Sequence, residues 1–460
     1  MVFKSNEVEF ANLPSLKKLL MSLQNPFYLN FFPKKIRQQL EGRHNLFAVL
    51  HNSGWLMADK VFKAMVTLIV GAWVARYLGP TEYGKLAYIL AIVAFFQVVS
   101  TLGLDGIVVR DIAKNKDEAG VILGTTFMMR LIVGMICWLG LVVFMVLIYG
   151  WGNENMWLAL FIGGSLLFQA ADTIDLWFQS QTQSRRTVLA KFIAILISSS
   201  LRVVFITLKA PLVYFAVAFL VEFSIAALAL YFSYQRFRCE QKWVVQVNER
   251  GRKLLKESWP FILSSVSVMV YMRIDQVMIR NILGEMELGI YSAVIALSTG
   301  WYIIANTVYS SILPSLTRVK EQNEQLFLQR LVTMFRLLIL VSVTLTLLTV
   351  WQGENLIQLI YGTKYISGST ALSIHVFTNI SVFLGVGQGV WIINYRKSKL
   401  FLIQTLVGGA VSIVLNTIFI PLFGISGAAL SATLSFLSSA ILTNFFIERD
   451  LFKLQIGLIK

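Results

Sequence analysis

The sequence predicts an all-α integral membrane protein with twelve transmembrane helices, arranged as two six-helix, pseudo-repeated bundles around a central cavity. Three observations carry that expectation. The 460 residues are 57% hydrophobic and only 14% charged, with mean hydropathy +0.70, against roughly 25% charged residues in soluble domains. Runs such as Leu131–Tyr149, Leu400–Leu422 and Ser426–Ile447 approach the ~20 apolar residues that a helix needs to cross a ~30 Å hydrocarbon core. Basic residues also alternate sharply between successive connections. Only helices and closed barrels satisfy every backbone group in lipid, and these continuous runs lack the alternation of barrel strands.

Taken in order, the spans read 47–76, 86–104, 122–148, 156–180, 187–208 and 211–234 in a first lobe. A second lobe reads 257–281, 288–314, 332–351, 371–394, 400–421 and 426–447. The lobes are bounded at 47–234 and 257–447, with a basic extension over 1–46, a basic linker over 235–256 and a tail over 448–460. Pro14, Pro26 and Pro33 with interspersed lysines mark the extension. A basic head, apolar stretch and small-residue site do not follow one another there, so no cleaved leader is expected.

Orientation follows from the charges. The N-terminal segment, the even-numbered connections and the tail hold most of the 40 Lys and Arg, among them Arg110, Lys114, Arg185, Arg186, Lys191 and Arg250. Odd-numbered connections hold only Arg76, Lys85, Lys209, Arg280 and Lys364. The positive-inside rule then places both termini in the cytoplasm. The net charge of +16 is thus a topology signal suited to an anionic inner leaflet, and nucleic acid is not an expected partner. Two cysteines, Cys137 and Cys239, give neither a disulfide framework nor a metal spacing.

An internal repeat sharpens twelve into six plus six. The connection Leu78-Gly79-Pro80-Thr81-Glu82-Tyr83-Gly84 follows the first span, and Leu283-Gly284-Glu285-Met286-Glu287-Leu288-Gly289 follows the seventh. Leu, Gly, Glu and Gly fall in register. Transporters built from such repeats place the substrate between the halves, near the midplane.

Charges inside spans mark candidate sites, because a central charge facing lipid costs roughly 2.5–3.5 kcal/mol. Ser53, Lys60 and Thr67 form a polar stripe on the first span, with Lys63 one turn from Lys60. One reading is a cationic cavity lined by Lys60, Lys63, Arg202 and Arg273, which would bind an anionic substrate. Asp59, Asp172, Asp175, Glu222 and Asp275 are then candidates for carrying a coupling ion or proton. The alternative is that these charges pair between helices. Arg130 and Arg336, near cytoplasmic ends, are expected to snorkel, and His375 to be a satisfied bundle histidine. No metal site and no catalytic residue are expected.

The stretch from Trp55-Leu56-Met57-Ala58-Asp59-Lys60 to Tyr77-Leu78-Gly79-Pro80 resembles the opening helix of Wzx-type polysaccharide and O-antigen flippases. The run Thr101-Leu102-Gly103-Leu104-Asp105-Gly106 and the segment Arg273-Ile274-Asp275-Gln276-Val277-Met278 are similar to that family's second and seventh helices. The family belongs to the multidrug/oligosaccharidyl-lipid/polysaccharide exporter superfamily, with a MATE-like fold. The resemblance implies a flippase of the bacterial inner membrane, carrying undecaprenyl-pyrophosphate-linked glycan outward by alternating access. Lys60, Lys63 and Arg273 would attract its pyrophosphate or acidic sugars. The resemblance further implies coupling to H+ or Na+ and, as partners, a polysaccharide polymerase and a chain-length regulator. A multidrug exporter of the same superfamily is the nearer alternative. A membrane polymerase or glycosyltransferase is the other, but the longest outer connection, about 352–370, carries only Glu354 and Lys364 as charges, too few for acid/base chemistry.

Overall fold

The computed structural model describes residues 44–457 apart from 239–240, with side chains from Phe62 onward. Residues Met1–Gly54 form one unit, helical from His44, and Trp55–Lys460 form a second, which is the one described below. Among the described residues every regular element is a helix. The first half contains α1 (His44–Ser100), α2 (Asp105–Lys114), α3 (Ala119–Tyr149), α4 (Glu154–Gly163), α5 (Ser165–Phe168), α6 (Asp172–Ser180), α7 (Ser184–Thr207) and α8 (Leu212–Arg236). The second contains α9 (Arg252–Leu283), α10 (Glu285–Gly300), α11 (Tyr302–Gln322), α12 (Glu324–Ile360), α13 (Ser369–His375), α14 (Thr378–Asn394), α15 (Ser398–Leu437), α16 (Thr443–Ile447) and α17 (Arg449–Gln455). Nine helical stretches are long and apolar enough to cross a membrane among these residues, or ten if α13 and α14, bent by 42°, make one span. The chain is a membrane protein.

The departures from twelve separate helices have local causes. Loss of hydropathy between Arg76 and Lys85 reads as a loop, yet α1 continues through it with a single break at Gly79 (φ 75°, ψ 171°). Glycine alone adopts that conformation cheaply. The polar residues there are satisfied without a loop: Lys85 Nζ lies 2.8 Å from carboxylate oxygens of both Glu82 and Glu154. A second glycine, Gly424 (φ 61°, ψ −141°), breaks α15 in the same way. Conversely, the fourth and tenth spans are each divided into shorter helices.

Two connections are more ordered than composition suggests. Helix α2 is amphipathic and buries Ile107, Val108 and Ile112. The 235–256 connection docks on the first half, with Val244 N donating to the Gly120 carbonyl at 3.3 Å. A Cβ on Gly120 would fall 2.3 Å from the Lys242 carbonyl oxygen, so the fit requires glycine. Arg250 then pairs with Asp111 at 2.9 Å and Glu118 at 3.3 Å.

Three apolar cores organise the bundle. One draws on both halves, joining Val74, Ile89 and Leu158 to Ile279, Tyr291 and Ile357. It lies at the end where the chain turns at Gly79, Gly150, Gly284, Gly362 and Gly424, all at positive φ. At the opposite end each half has its own core, around Leu104, Ile122 and Phe178 in the first and around Phe327, Phe335 and Phe383 in the second. The halves thus share one core at the joined end; at the other, here the split end, they keep separate cores and meet at the start of α9, where Arg110 pairs with Glu257 at 2.6 Å and Gly103 lies against Phe261. At the split end a buried amide cluster of Gln388, Gln404, Asn444 and Gln455 ties α17 into the second half through contacts of 2.6–3.2 Å.

Candidate functional site

At the joined end, the two segments matched in the sequence meet backbone to backbone. A Cβ on Gly84 would lie 1.8 Å from the carbonyl oxygen of Glu285, and one on Gly289 would lie 1.8 Å from that of Pro80. In the repeat register Pro80 corresponds to Glu285 and Gly84 to Gly289, so these are one contact with the partners exchanged, as across a two-fold axis. Small residues permit such close approach of helices. Polar groups complete the seal. Tyr365 Oη donates to the Ala75 carbonyl at 2.6 Å and Arg76 Nη2 to that of Gln358 at 3.3 Å. The Arg280 guanidinium lies 4.9 Å from the ring centroids of both Tyr88 and Tyr149.

About one turn from this core, toward the split end, sit two of the cations expected in a cavity. Lys63 precedes Val66 and Val70 of the shared core by one and two turns, and is half-buried and engaged by a neighbour. Arg273 precedes Val277 and Ile279, is exposed, and donates to Gln276 Oε1 at 3.3 Å. Among the described residues Arg273 has no ion-pair partner. Asp275 points elsewhere, as two residues' separation on a helix requires. It is buried and accepts from Tyr291 Oη at 2.5 Å and from the Gln276 amide at 2.8 Å.

The remaining candidates are separate from this group. Arg202 pairs with Glu222 at 2.8 Å within the first half, and its guanidinium lies 4.3 Å from the Phe219 ring centroid. Ser198 Oγ also donates to Glu222, at 2.8 Å. Asp172 and Asp175 are both bridged by Lys191, at 2.8 Å each. Asp59 and Lys60 lie outside the described side chains, and the extension over 1–46 lies outside the described residues apart from the backbone of 44–46. His375 is buried, with Nδ1 3.0 Å from Ser298 Oγ. Among the described residues no group of three or more His, Cys, Asp or Glu gathers as a metal site would require.

Two basic residues need correction. Arg130 does not snorkel: it is 2% exposed, pairs with Asp105 and donates to the Thr101 carbonyl at 3.2 Å. Lys191 is not a loop cation but sits two turns into α7. Arg185 and Arg186 stand in the first turn of the same helix, and the place of Lys191 inside the span read as 187–208 was the available signal. The Gly84–Gly289 contact was legible as a repeat but not as a contact.

Comparison with known proteins places these features. A family profile described as "Polysaccharide biosynthesis protein" matches residues 49–320. The chain belongs to that family. It is similar to the capsular polysaccharide biosynthesis protein CapF of Staphylococcus aureus, at 24% identity over 41% of this chain and 48% of that protein. It is also similar to the probable low-salt glycan biosynthesis flippase Agl15 of Haloferax volcanii, at 22% identity over 44% of this chain and 43% of that one. The chain thus matches about half the length of these curated relatives. In fold it resembles the lipid II flippase MurJ in an inward closed conformation, with TM-score 0.68, 15% identity and coverage of 87% and 90%. It likewise resembles an inward-facing multidrug resistance MATE transporter of the MOP superfamily, with TM-score 0.61, 16% identity and coverage of 88% and 96%. At these identities the two structures speak to the fold.

Proposed function

We propose that this protein is a flippase that moves an undecaprenyl-pyrophosphate-linked oligosaccharide across the bacterial cytoplasmic membrane by alternating access. The observation that carries this reading is Arg273, an exposed cation without an ion-pair partner among the described residues, one turn along α9 from Val277 of the shared core. An anionic head group in a low-dielectric cleft satisfies such a charge, whereas a site for cationic drugs calls for free carboxylates. Three of the candidate carboxylates, Asp172, Asp175 and Glu222, are already paired. Family membership and the names borne by CapF and Agl15 favour glycan cargo.

Topology supports the reading. Counting α1 and α15 as two crossings each, at Gly79 and Gly424, brings ten candidate spans to twelve, in two bundles of six. The loop charges put the split end and both termini in the cytoplasm of the cell, so the cleft takes cargo from the inner leaflet while the joined end is sealed. Asp275, buried with a hydroxyl partner and, among the described residues, no cation within ion-pair distance, is the carboxylate suited to proton or Na+ coupling. The test is flipping of fluorescent undecaprenyl-pyrophosphate-linked oligosaccharide in proteoliposomes. Arg273→Ala is expected to lower the rate more than tenfold and Arg273→Lys to restore part of it. Wild-type flipping by Arg273→Ala removes the cationic-cleft argument, and dye efflux without lipid flipping favours the drug exporter.

A further inference from the structure

A groove of about 560 Å³ runs between α11 and α12, away from the charges described above. Ile304, Val308 and Ile312 form one wall, and Met334, Leu338 and Val341 the other. Phe383 of α14 closes its base, and Leu337 on its rim is 57% exposed. The volume is within the ~300–1,000 Å³ usual for small-molecule sites. Apart from Ser311 midway along it, its polar groups gather at one end. Ser315, Thr333 and Arg330 cluster near the split end, and Ile304 and Val341 lie at the other. Arg330 is exposed and has neither a hydrogen bond nor an ion pair among the described residues.

Length identifies the occupant. From Ile304 to Ser315 the groove follows helix α11 for about 16 Å at ~1.5 Å per residue, roughly half of a ~30 Å hydrocarbon core. It therefore spans one leaflet, with a lone cation at the head-group level and an apolar trough ending near the midplane. A far longer polyprenyl chain would overrun it. We infer that this groove holds one acyl chain of an anionic phospholipid of the cytoplasmic leaflet, its phosphate on Arg330. The leaflet assignment rests on the topology proposed above, but the groove and its chemistry do not depend on glycan transport. A lipid held here packs against the second half without entering the cleft, separating its site from the cargo's.

The test uses the full chain, purified in detergent, with native mass spectrometry counting retained phosphatidylglycerol and phosphatidylcholine of matched acyl chains. Wild type is expected to prefer phosphatidylglycerol about fivefold, the ratio given by ~1 kcal/mol for one basic residue at the membrane surface. Arg330→Gln, an exposed substitution that leaves the core intact, should abolish the preference, and Ser315→Trp, which obstructs the polar mouth of the groove, should lower retention of both lipids. An unchanged preference in Arg330→Gln overturns the inference. So does displacement of phosphatidylglycerol by equimolar undecaprenyl phosphate, which would give the groove to the cargo's own chain. Labelling of Arg330→Cys by an impermeant maleimide from outside the cell overturns the leaflet assignment. Loss of glycan flipping alone bears only on the proposed function, because lipid retention is read without transport.

Discussion

Gly84→Ala tests whether the joined end is a gate. The added methyl would sit 1.8 Å from the Glu285 carbonyl oxygen and 2.7 Å from its carbon, with the Gly289 amide at 3.0 Å. Restoring ordinary contact at ~3.5 Å requires the two segments to separate by about 1.7 Å. No flexible side chain stands in the way to absorb the change; both sides of the contact are backbone. Overpacking of this kind costs about 1–3 kcal/mol, and occasionally more. A penalty of ~2–3 kcal/mol confined to the closed end shifts the balance toward an open one by roughly 30- to 150-fold. The assay is labelling of Ile290→Cys, at a site 2% exposed in the shared core, by an impermeant maleimide in a background lacking Cys137 and Cys239. Gly84→Ala should label at least tenfold faster. Gly71→Ala, with open space at its Cβ, should label at the parental rate. Gly84→Ala and Gly289→Ala should combine to much less than the sum of their effects, because one separation relieves both contacts. A labelling rate and melting temperature in Gly84→Ala equal to the parent's would refute the reasoning.

Other outcomes follow from the charge pairs. Glu222→Gln should lower stability in detergent by about 2–3 kcal/mol, since it leaves Arg202 buried without its counter-charge, and Arg202→Met with Glu222→Leu should recover most of that loss; thermal unfolding reads both. Lys191→Ala leaves Asp172 and Asp175 facing each other uncompensated, and its melting temperature should rise back when Asp172→Asn is added. Asp275→Asn should retain glycan binding while flipping becomes insensitive to an imposed proton or Na+ gradient; gradient-dependent flipping at the wild-type ratio would exclude Asp275 as the coupling group. Asn444→Leu removes the centre of the buried amide cluster and should cost about 2–4 kcal/mol, because Gln388, Gln404 and Gln455 each lose a partner.

The sequence by itself determined the class, the approximate spans and the repeat. Hydropathy along the chain decides which segments enter lipid, and it does so segment by segment, with no knowledge of neighbours. Leu, Gly, Glu and Gly in the same register at 78–84 and 283–289 marked the two halves for the same reason: they are local patterns. Helix breaks were less legible, because a polar stretch such as Glu82–Lys85 reads as a loop until Glu154 is known to lie beside it. Tertiary structure alone decided which charges are free. Spacing fixes which residues share a face of one helix, but not the rotation or depth of that helix against the next. Arg202 therefore stood beside Arg273 as a cavity cation, and Asp172 and Asp175 as coupling carboxylates, yet cross-helix partners, Glu222 and Lys191, pair with these three. Arg130 looked like an interfacial cation, yet it is buried and pairs with Asp105 at the start of the preceding helix α2. The same limit hid the meeting of Gly84 with Gly289: the repeat announced two similar segments, and only packing across the halves set one against the other.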